Sequence, residues 1–322
     1  MSRTLRAFLA GLATMTSIAL AQQPARLPVV GLFVTHPPAN DAVVEALRKG
    51  LREFGYEDGR NFKLEVRTAE GRLDLVPAIA DELVRVPADV IVVGNEVALR
   101  ATREATSTIP IVMIGFNDDP VAMGWINSYR HPGGNVTGTY NVNSALISKR
   151  LEILKQTLPD VTRVAVLWDA FGQRQLEELR RAAGALRVQL QFIELRGPQD
   201  LAPAFKTAKR RKAGAVLLIW SPVFYVHQAQ VAELGIGAGL PVFTDLDTLA
   251  RAGGLISYGS DRDYNLARTA YFVDRVLKGA KPGELPVEQI SKVKLVVNLK
   301  TAKDLGLTIP QPVLLRADEV IR

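Results

Sequence analysis

Short apolar runs suited to buried strands alternate with amphipathic helices, and the alternation starts twice along the chain. Val29 to Val34 reads as a strand buried on both faces, and Val43, Leu47, Leu51 and Phe54 then recur at helical spacing. Phe62, Leu64 and Val66 alternate as a second strand, and Val76, Ile79, Ala80 and Leu83 mark a second helix. Asp89 to Val93 predicts a third strand, Val97 to Ala105 a third helix, and Ile111 to Ile114 a fourth strand. Strand and helix alternating in this way predict a parallel, doubly wound sheet. After Pro132-Gly133-Gly134-Asn135 and Val136-Thr137-Gly138 the pattern restarts. Strands are expected at Val164–Trp168, Leu190–Glu194, Ala215–Trp220 and Pro241–Thr244, each followed by a helical pattern. The fold class is therefore α/β, with two Rossmann-like doubly wound lobes and a ligand cleft between them.

The expected division assigns residues 27–138 and about 255–285 to an N-terminal lobe and 139–254 to a C-terminal lobe. Chain crossings are expected near Val136–Tyr140 and near Gly253–Ser257. Residues 286–322 form a strand–helix tail open to either lobe, with a last helix from about Pro312 to Ile321. A chain of 322 residues has room for two such domains.

Arg3 and Arg6 precede an apolar run from Ala7 to Leu20, and Ala19-Leu20-Ala21 has the small-x-small form of a cleavage site. Residues 1–21 therefore read as a secretory signal peptide, too short for a membrane anchor, with Gln22 as the mature N-terminus. The chain has no cysteine, which excludes a cysteine nucleophile, a thiolate metal site and a lipidated N-terminal cysteine. A core of this size needs no disulfides, so their absence fits a periplasmic protein. The net charge of +7 is scattered; Lys209-Arg210-Arg211-Lys212 ends a helix, where cations are favourable, so nucleic acid is not an expected partner. Three dispersed histidines give no metal site, and no phosphate loop or nucleophile elbow appears.

Ligands of open α/β sheets bind at the loops leaving the carboxyl ends of the strands. The candidates from the first lobe are Thr35, His36, Asn95, Glu96, Phe116, Asn117 and Asp118. Those from the second are Trp168, Asp169, Trp220, Phe224, Thr244 and Asp245. Tyr140, Tyr258 and Asp261 flank the expected crossovers. Helix N-termini behind these loops offer N–H groups to a carboxylate, aromatics offer a stacking wall, and acids offer a partner to an ammonium. Each also has a plainer role: Trp168 and Trp220 as core, His36 as part of a turn, Asp119 and Asp261 as helix caps.

Five stretches carry a resemblance: Leu51-Arg-Glu-Phe-Gly-Tyr-Glu-Asp-Gly-Arg-Asn61, Ala69-Glu-Gly-Arg72, Pro132-Gly-Gly-Asn-Val-Thr-Gly138, Arg251-Ala-Gly-Gly-Leu-Ile-Ser-Tyr-Gly259 and Leu295-Val-Val-Asn-Leu-Lys-Thr-Ala-Lys-Asp-Leu-Gly-Leu-Thr-Ile-Pro310. Together, in order, they resemble substrate-binding proteins of bacterial ABC uptake systems, in the tryptophan/tyrosine-type group. The resemblance implies the type I periplasmic binding protein fold, hinge closure on a small molecule, no catalysis and no cofactor. It further implies delivery of an amino acid or other small carboxylate to an ABC permease, by a monomer in the periplasm. A periplasmic sensor presenting its ligand to a membrane receptor would use the same fold, and an enzyme is a more distant alternative. This chain departs from the group at the ligand loops. It has Asn95-Glu96 where relatives often have Thr-Pro, Trp168-Asp169 where they have Asn-Pro or Tyr-Asn, and Trp220-Ser221-Pro222 in place of an acidic turn.

Overall fold

The computed structural model describes residues 26–35, 42–70, 72–117, 119–141, 143–173 and 175–322. The proposed signal segment 1–21, His36 and Asp118 lie outside them.

The first alternation runs β1 (Val29–Val34), α1 (Ala42–Glu53), β2 (Lys63–Thr68), α2 (Val76–Arg85), β3 (Val90–Val93), α3 (Glu96–Ala105), β4 (Ile111–Phe116) and β5 (Val136–Asn141). The second runs α4 (Asn143–Thr157), β6 (Arg163–Trp168), α5 (Gln175–Leu186), β7 (Gln189–Glu194), α6 (Leu201–Arg210), β8 (Ala215–Leu218), α7 (Pro222–Val226), α8 (Gln228–Ala238), β9 (Val242–Thr244), α9 (Asp247–Arg251) and β10 (Ile256–Ser260). The chain ends with α10 (Arg262–Leu277), β11 (Glu288–Ile290), β12 (Val293–Asn298), α11 (Leu299–Asp304), α12 (Gln311–Leu314) and β13 (Glu319–Ile321). Two sheets result, with strand orders β11-β5-β4-β3-β1-β2 and β13-β12-β10-β9-β8-β6-β7. Among the described residues all pairings between these strands are parallel except β10 with β12.

Helices cover both faces of each sheet, which is why the central strands are apolar at every position rather than alternately. In β1 and β3, Val30, Leu32, Val34, Val90 and Val92 face α1 and α10, while Phe33, Ile91 and Val93 face the α2 and α3 side. In the second sheet, Val164, Val166 and Leu217 face α4 and α5, and Ala165, Leu167, Val216 and Leu218 face α6 and α8. The inward face of α1 is Val44, Leu47 and Leu51. Val43 lines the cleft instead, and Phe54 is partly exposed against Tyr271.

The route between sheets differs from the expected one. Ile256–Ser260 pairs with β9 and β12 in the second sheet, not in the first. Val136–Asn141 completes its span within the first sheet, against β4. The chain crosses after Asn141, again between Ser260 and Arg262, and again between Ile290 and Val293. The last segment also departs from expectation: α12 stops at Leu314, and Glu319-Val320-Ile321 pairs with Val296–Asn298. Two β-side contacts favour the strand there. The Asp318 carboxylate accepts from the Leu295 N–H at 2.7 Å, and the Asp318 N–H donates to the Leu295 carbonyl at 2.9 Å. The tail thus serves both sheets, through β11 in one and β12 and β13 in the other.

Candidate functional site

The carboxyl ends of both sheets face a cavity of about 210 Å³ between them. From the first sheet, Thr35 follows β1, Gly94, Asn95 and Glu96 follow β3, Ile114 to Asn117 end β4, and Asn141 ends β5. From the second, Phe171 follows β6, Trp220, Pro222 and Tyr225 follow β8, and Asp245 to Asp247 follow β9. Ser260 ends β10, and Arg262, Asn265 and Leu266 begin α10. Thr35, Asn95, Glu96, Phe116, Asn117, Trp220 and Asp245 are therefore brought together from the candidates of the sequence.

The other described candidates sit elsewhere, each for a packing reason. Phe224 is buried in the core on the α6 and α8 face. Tyr140 is buried on the α3 face, stacked on Tyr129 with ring centroids 5.2 Å apart. Trp168 and Tyr258 pack against the core under α4 and α5. Thr244 is fully buried, and its hydroxyl accepts from the Leu246 N–H at 3.1 Å. Asp261 caps α10 through the Tyr264 N–H at 3.0 Å and pairs with Lys292 at 3.0 Å. Asp119 takes the plainer role expected of it, accepting from the N–H groups of Val121 and Ala122.

Asp169 lies just behind the cleft wall. Its carboxylate accepts from the Phe171 N–H at 3.0 Å and from the Ser221 hydroxyl, whose oxygen accepts in turn from the Val223 N–H at the start of α7. Burial pushes the Asp169 carboxyl up, and the Ser221 bond opposes that. One carboxylate thereby joins the loop bearing Phe171 to the loop bearing Trp220. The two rings meet edge to face at 6.1 Å and 87° and form an aromatic wall.

On the facing side, Asn95 caps α3 by accepting from the Ala98 N–H at 3.0 Å, and its amide donates to the Thr35 hydroxyl at 2.5 Å. Asn141 donates to the Gly115 carbonyl at 2.5 Å. Thr139 accepts from the Gly115 N–H at 2.8 Å and donates to Asn265 at 2.6 Å. Gly115 has φ +48°, and a Cβ there would fall 1.8 Å from the Asn265 amide, so the bend that turns β4 into the cleft requires glycine. Three helix N-termini at the cleft are capped by a side chain, Asn95 for α3, Ser221 for α7 and Asp261 for α10, whereas α9 has no side-chain cap.

Beneath the second-sheet wall lies a charge that pattern reading overlooked. Arg150 of α4 is 1% exposed, and its Nε donates to the Tyr258 carbonyl at 3.0 Å. Burial lowers the Arg150 guanidinium, while the nearby Asp245 charge raises it. Asp245 is half-buried as a residue, but its Oδ1 is sealed from solvent. Burial pushes that carboxyl up, and Arg150 pulls it part of the way back. The available signal was positional: Arg150 lies three residues after Ile147 and four before Leu154, on the face of α4 that packs inward. Asn141, Phe171, Tyr225 and Arg262 were also overlooked: Asn141 ends β5, and Phe171, Tyr225 and Arg262 lie beyond the ends of β6, β8 and β10. Among the described residues, no group of three or more His, Cys, Asp or Glu could hold a metal ion, and no helix is long and apolar enough to cross a membrane.

The family model of the ABC transporter substrate binding protein matches residues 29–321. The chain belongs to that family. A tyrosine-binding protein of Clostridioides difficile (strain R20291) is 24% identical over 284 residues, covering 86% of this chain and 80% of the relative. A conserved domain protein from Vibrio cholerae superposes with a TM-score of 0.83 at 28% identity, covering 91% of this chain and 99% of that one. An ABC domain in complex with L-Trp from Streptococcus pneumonia superposes at 0.82 with 26% identity, covering 92% and 100%. The two sheets and the cleft between them are those of a type I periplasmic binding protein, and the family function is to bind a small-molecule substrate for an ABC permease. Its relatives are binding proteins rather than enzymes, and the family is typically extracytoplasmic.

Proposed function

We propose that this protein, exported by way of residues 1–21, captures an aromatic amino acid in the periplasm as a monomer and hands it to its permease. The observation that carries the proposal is one cavity lined both by an aromatic wall, Phe171 with Trp220, and by opposite charges, Asp245 and Arg262. A flat apolar body and a zwitterionic head group need those two surroundings together. The tyrosine-binding relative and the L-Trp complex support the same choice. Because both sheets line the cavity, a ligand touching both stabilises the closed arrangement by its differential affinity.

The test is a thermal-shift screen of the twenty amino acids and of small carboxylates on protein purified without refolding, preceded by native mass spectrometry for carried-over ligand. L-tryptophan or L-tyrosine at 100 times its dissociation constant should add about 2.7 kcal/mol of stability, and small-angle scattering should show compaction. A screen in which only non-aromatic solutes stabilise the protein would sink the proposal.

A further inference from the structure

Strand order fixes where each side chain lies across the cleft. In the second sheet β6, β8, β9 and β10 are neighbours in that order, and the chain crosses to the first sheet from the end of β10. The rings of Phe171 and Trp220 follow β6 and β8, so they lie away from the crossing. Asp245 follows β9, and Ser260 and Arg262 stand at the crossing itself. The first sheet repeats the order, with Asn141 of β5 at its own crossing. Gly259 lets β10 press directly on the Asp245 loop: a Cβ there would fall 2.4 Å from the Asp245 carbonyl oxygen.

At this end of the cleft four polar atoms are sealed from solvent without a hydrogen-bond partner: Asn141 Oδ1, Asp245 Oδ1, Ser260 Oγ and Arg262 Nε. Asn141 is itself 7% exposed. Buried polar atoms are nearly always paired, so four orphans among cleft-lining residues leave hydrogen-bonding capacity there that the protein itself does not use. Two of them accept, on Asn141 and Asp245, and two donate, on Ser260 and Arg262. Arg262 is the only cationic side chain in the described lining, and it makes no ion pair among the described residues. The N-termini of α3, α7 and α10 are already capped by side chains, and α9, which has no such cap, is only five residues long, so an anion finds its donors chiefly on side chains.

We propose that the crossing end of the cleft is the head-group subsite for an α-amino acid, with Arg262 and Ser260 taking the carboxylate and Asp245 and Asn141 taking the ammonium. The subsite rests on the amino-acid function proposed above and adds its orientation. The head group lies against the two crossings, and the side chain points out between the rings. Arg262 sits where the chain passes from one sheet to the other, so engaging the carboxylate fixes the relative position of the two sheets.

The test is calorimetry with L-tryptophan, tryptamine, which lacks the carboxylate, and indole-3-propionate, which lacks the amine. Wild-type protein should bind each analogue more weakly than L-tryptophan, by on the order of 100-fold. Arg262→Met should weaken L-tryptophan by a similar factor and leave tryptamine unchanged, so that the two bind alike, while Arg262→Lys restores part of the difference. Asp245→Asn should do the same for the pair of L-tryptophan and indole-3-propionate. Arg262→Met protein that still prefers L-tryptophan over tryptamine as strongly as wild type overturns the subsite and leaves the amino-acid function standing. If that variant does not fold, the wild-type series decides: tryptamine bound as tightly as L-tryptophan overturns the subsite. Wild-type protein that binds none of the three, nor L-tyrosine, overturns both proposals.

Discussion

On the first-sheet side of the cleft the polar groups mostly bond to one another. Asn95 serves Thr35 and the α3 N-terminus, Asn141 serves Gly115, and Asn265 serves Thr139. On the second-sheet side and at its crossing, Arg150 Nη1, Asp245 Oδ1, Ser257 Oγ, Ser260 Oγ and Arg262 Nε have no partner. Satisfied buried networks are rigid and cost little, whereas each unsatisfied buried polar atom costs about 1–3 kcal/mol. The first side is satisfied apart from Asn141 Oδ1, whereas Asp245, Ser260 and Arg262 of the cavity lining keep unpaired polar atoms. Two lobes of like plan therefore have unlike tasks.

The contrast breaks hardest at Arg150. Arg150→Met removes the cation that favours the buried Asp245 carboxylate, and stability should fall by about 3–5 kcal/mol at pH 7. Burial already raises Asp245, and with Arg150 gone only hydrogen bonds from its own backbone and from Thr244 oppose it. An acid raised in the folded state keeps its contribution below its unfolded value and loses it as pH rises through the folded one. The deficit of the variant should therefore shrink toward about pH 4 and grow above it. Urea unfolding at both pH values measures this, and equal deficits would show that the two side chains are not coupled.

A smaller effect is expected at Trp220, on the same side. Trp220→Ala should weaken an aromatic ligand by about 1 kcal/mol or more with little change in unfolding, as read by titration calorimetry. The smallest effect on binding is expected across the cleft, at Asn95. Asn95→Ala removes the α3 cap, costing about 1 kcal/mol of stability, and leaves affinity nearly unaltered. Binding hurt more by Asn95→Ala than by Trp220→Ala would invert the comparison between the two sides.

The strand-and-helix alternation was legible because each buried strand is a continuous apolar run and each helix shows an inward stripe, as in Val76, Ala80 and Leu83. The lobe boundary was less so. Ile256–Ser260 has the composition of a strand in either sheet, and only its pairing with β9 and β12 assigns it. Val320 and Ile321 carry β-branched residues but follow a helix start at Gln311-Pro312, so local pattern alone favoured one continuous helix. In the cleft, strand ends marked the right loops, yet Trp168 ends β6, Trp220 follows β8, and only Trp220 lines the cavity. Which way a terminal side chain turns depends on the neighbouring loop, here on Asp169 drawing the β6 and β8 exits together. Arg262 was hidden because exposed and cleft-facing arginines look alike at a helix start.

The threefold passage between sheets has a consequence for how the molecule is made. Synthesis proceeds from the N-terminus, and β5 and β10 each wait with one open edge until residues 288–321 emerge. Only then does β11 cover β5, and β12, antiparallel to its neighbour, cover β10. A nascent chain stalled at residue 285 would carry two unprotected ladders at once, the arrangement most prone to pairing with a stranger. The final tenth of the polypeptide is thus a double latch, and neither lobe is complete before the ribosome has finished.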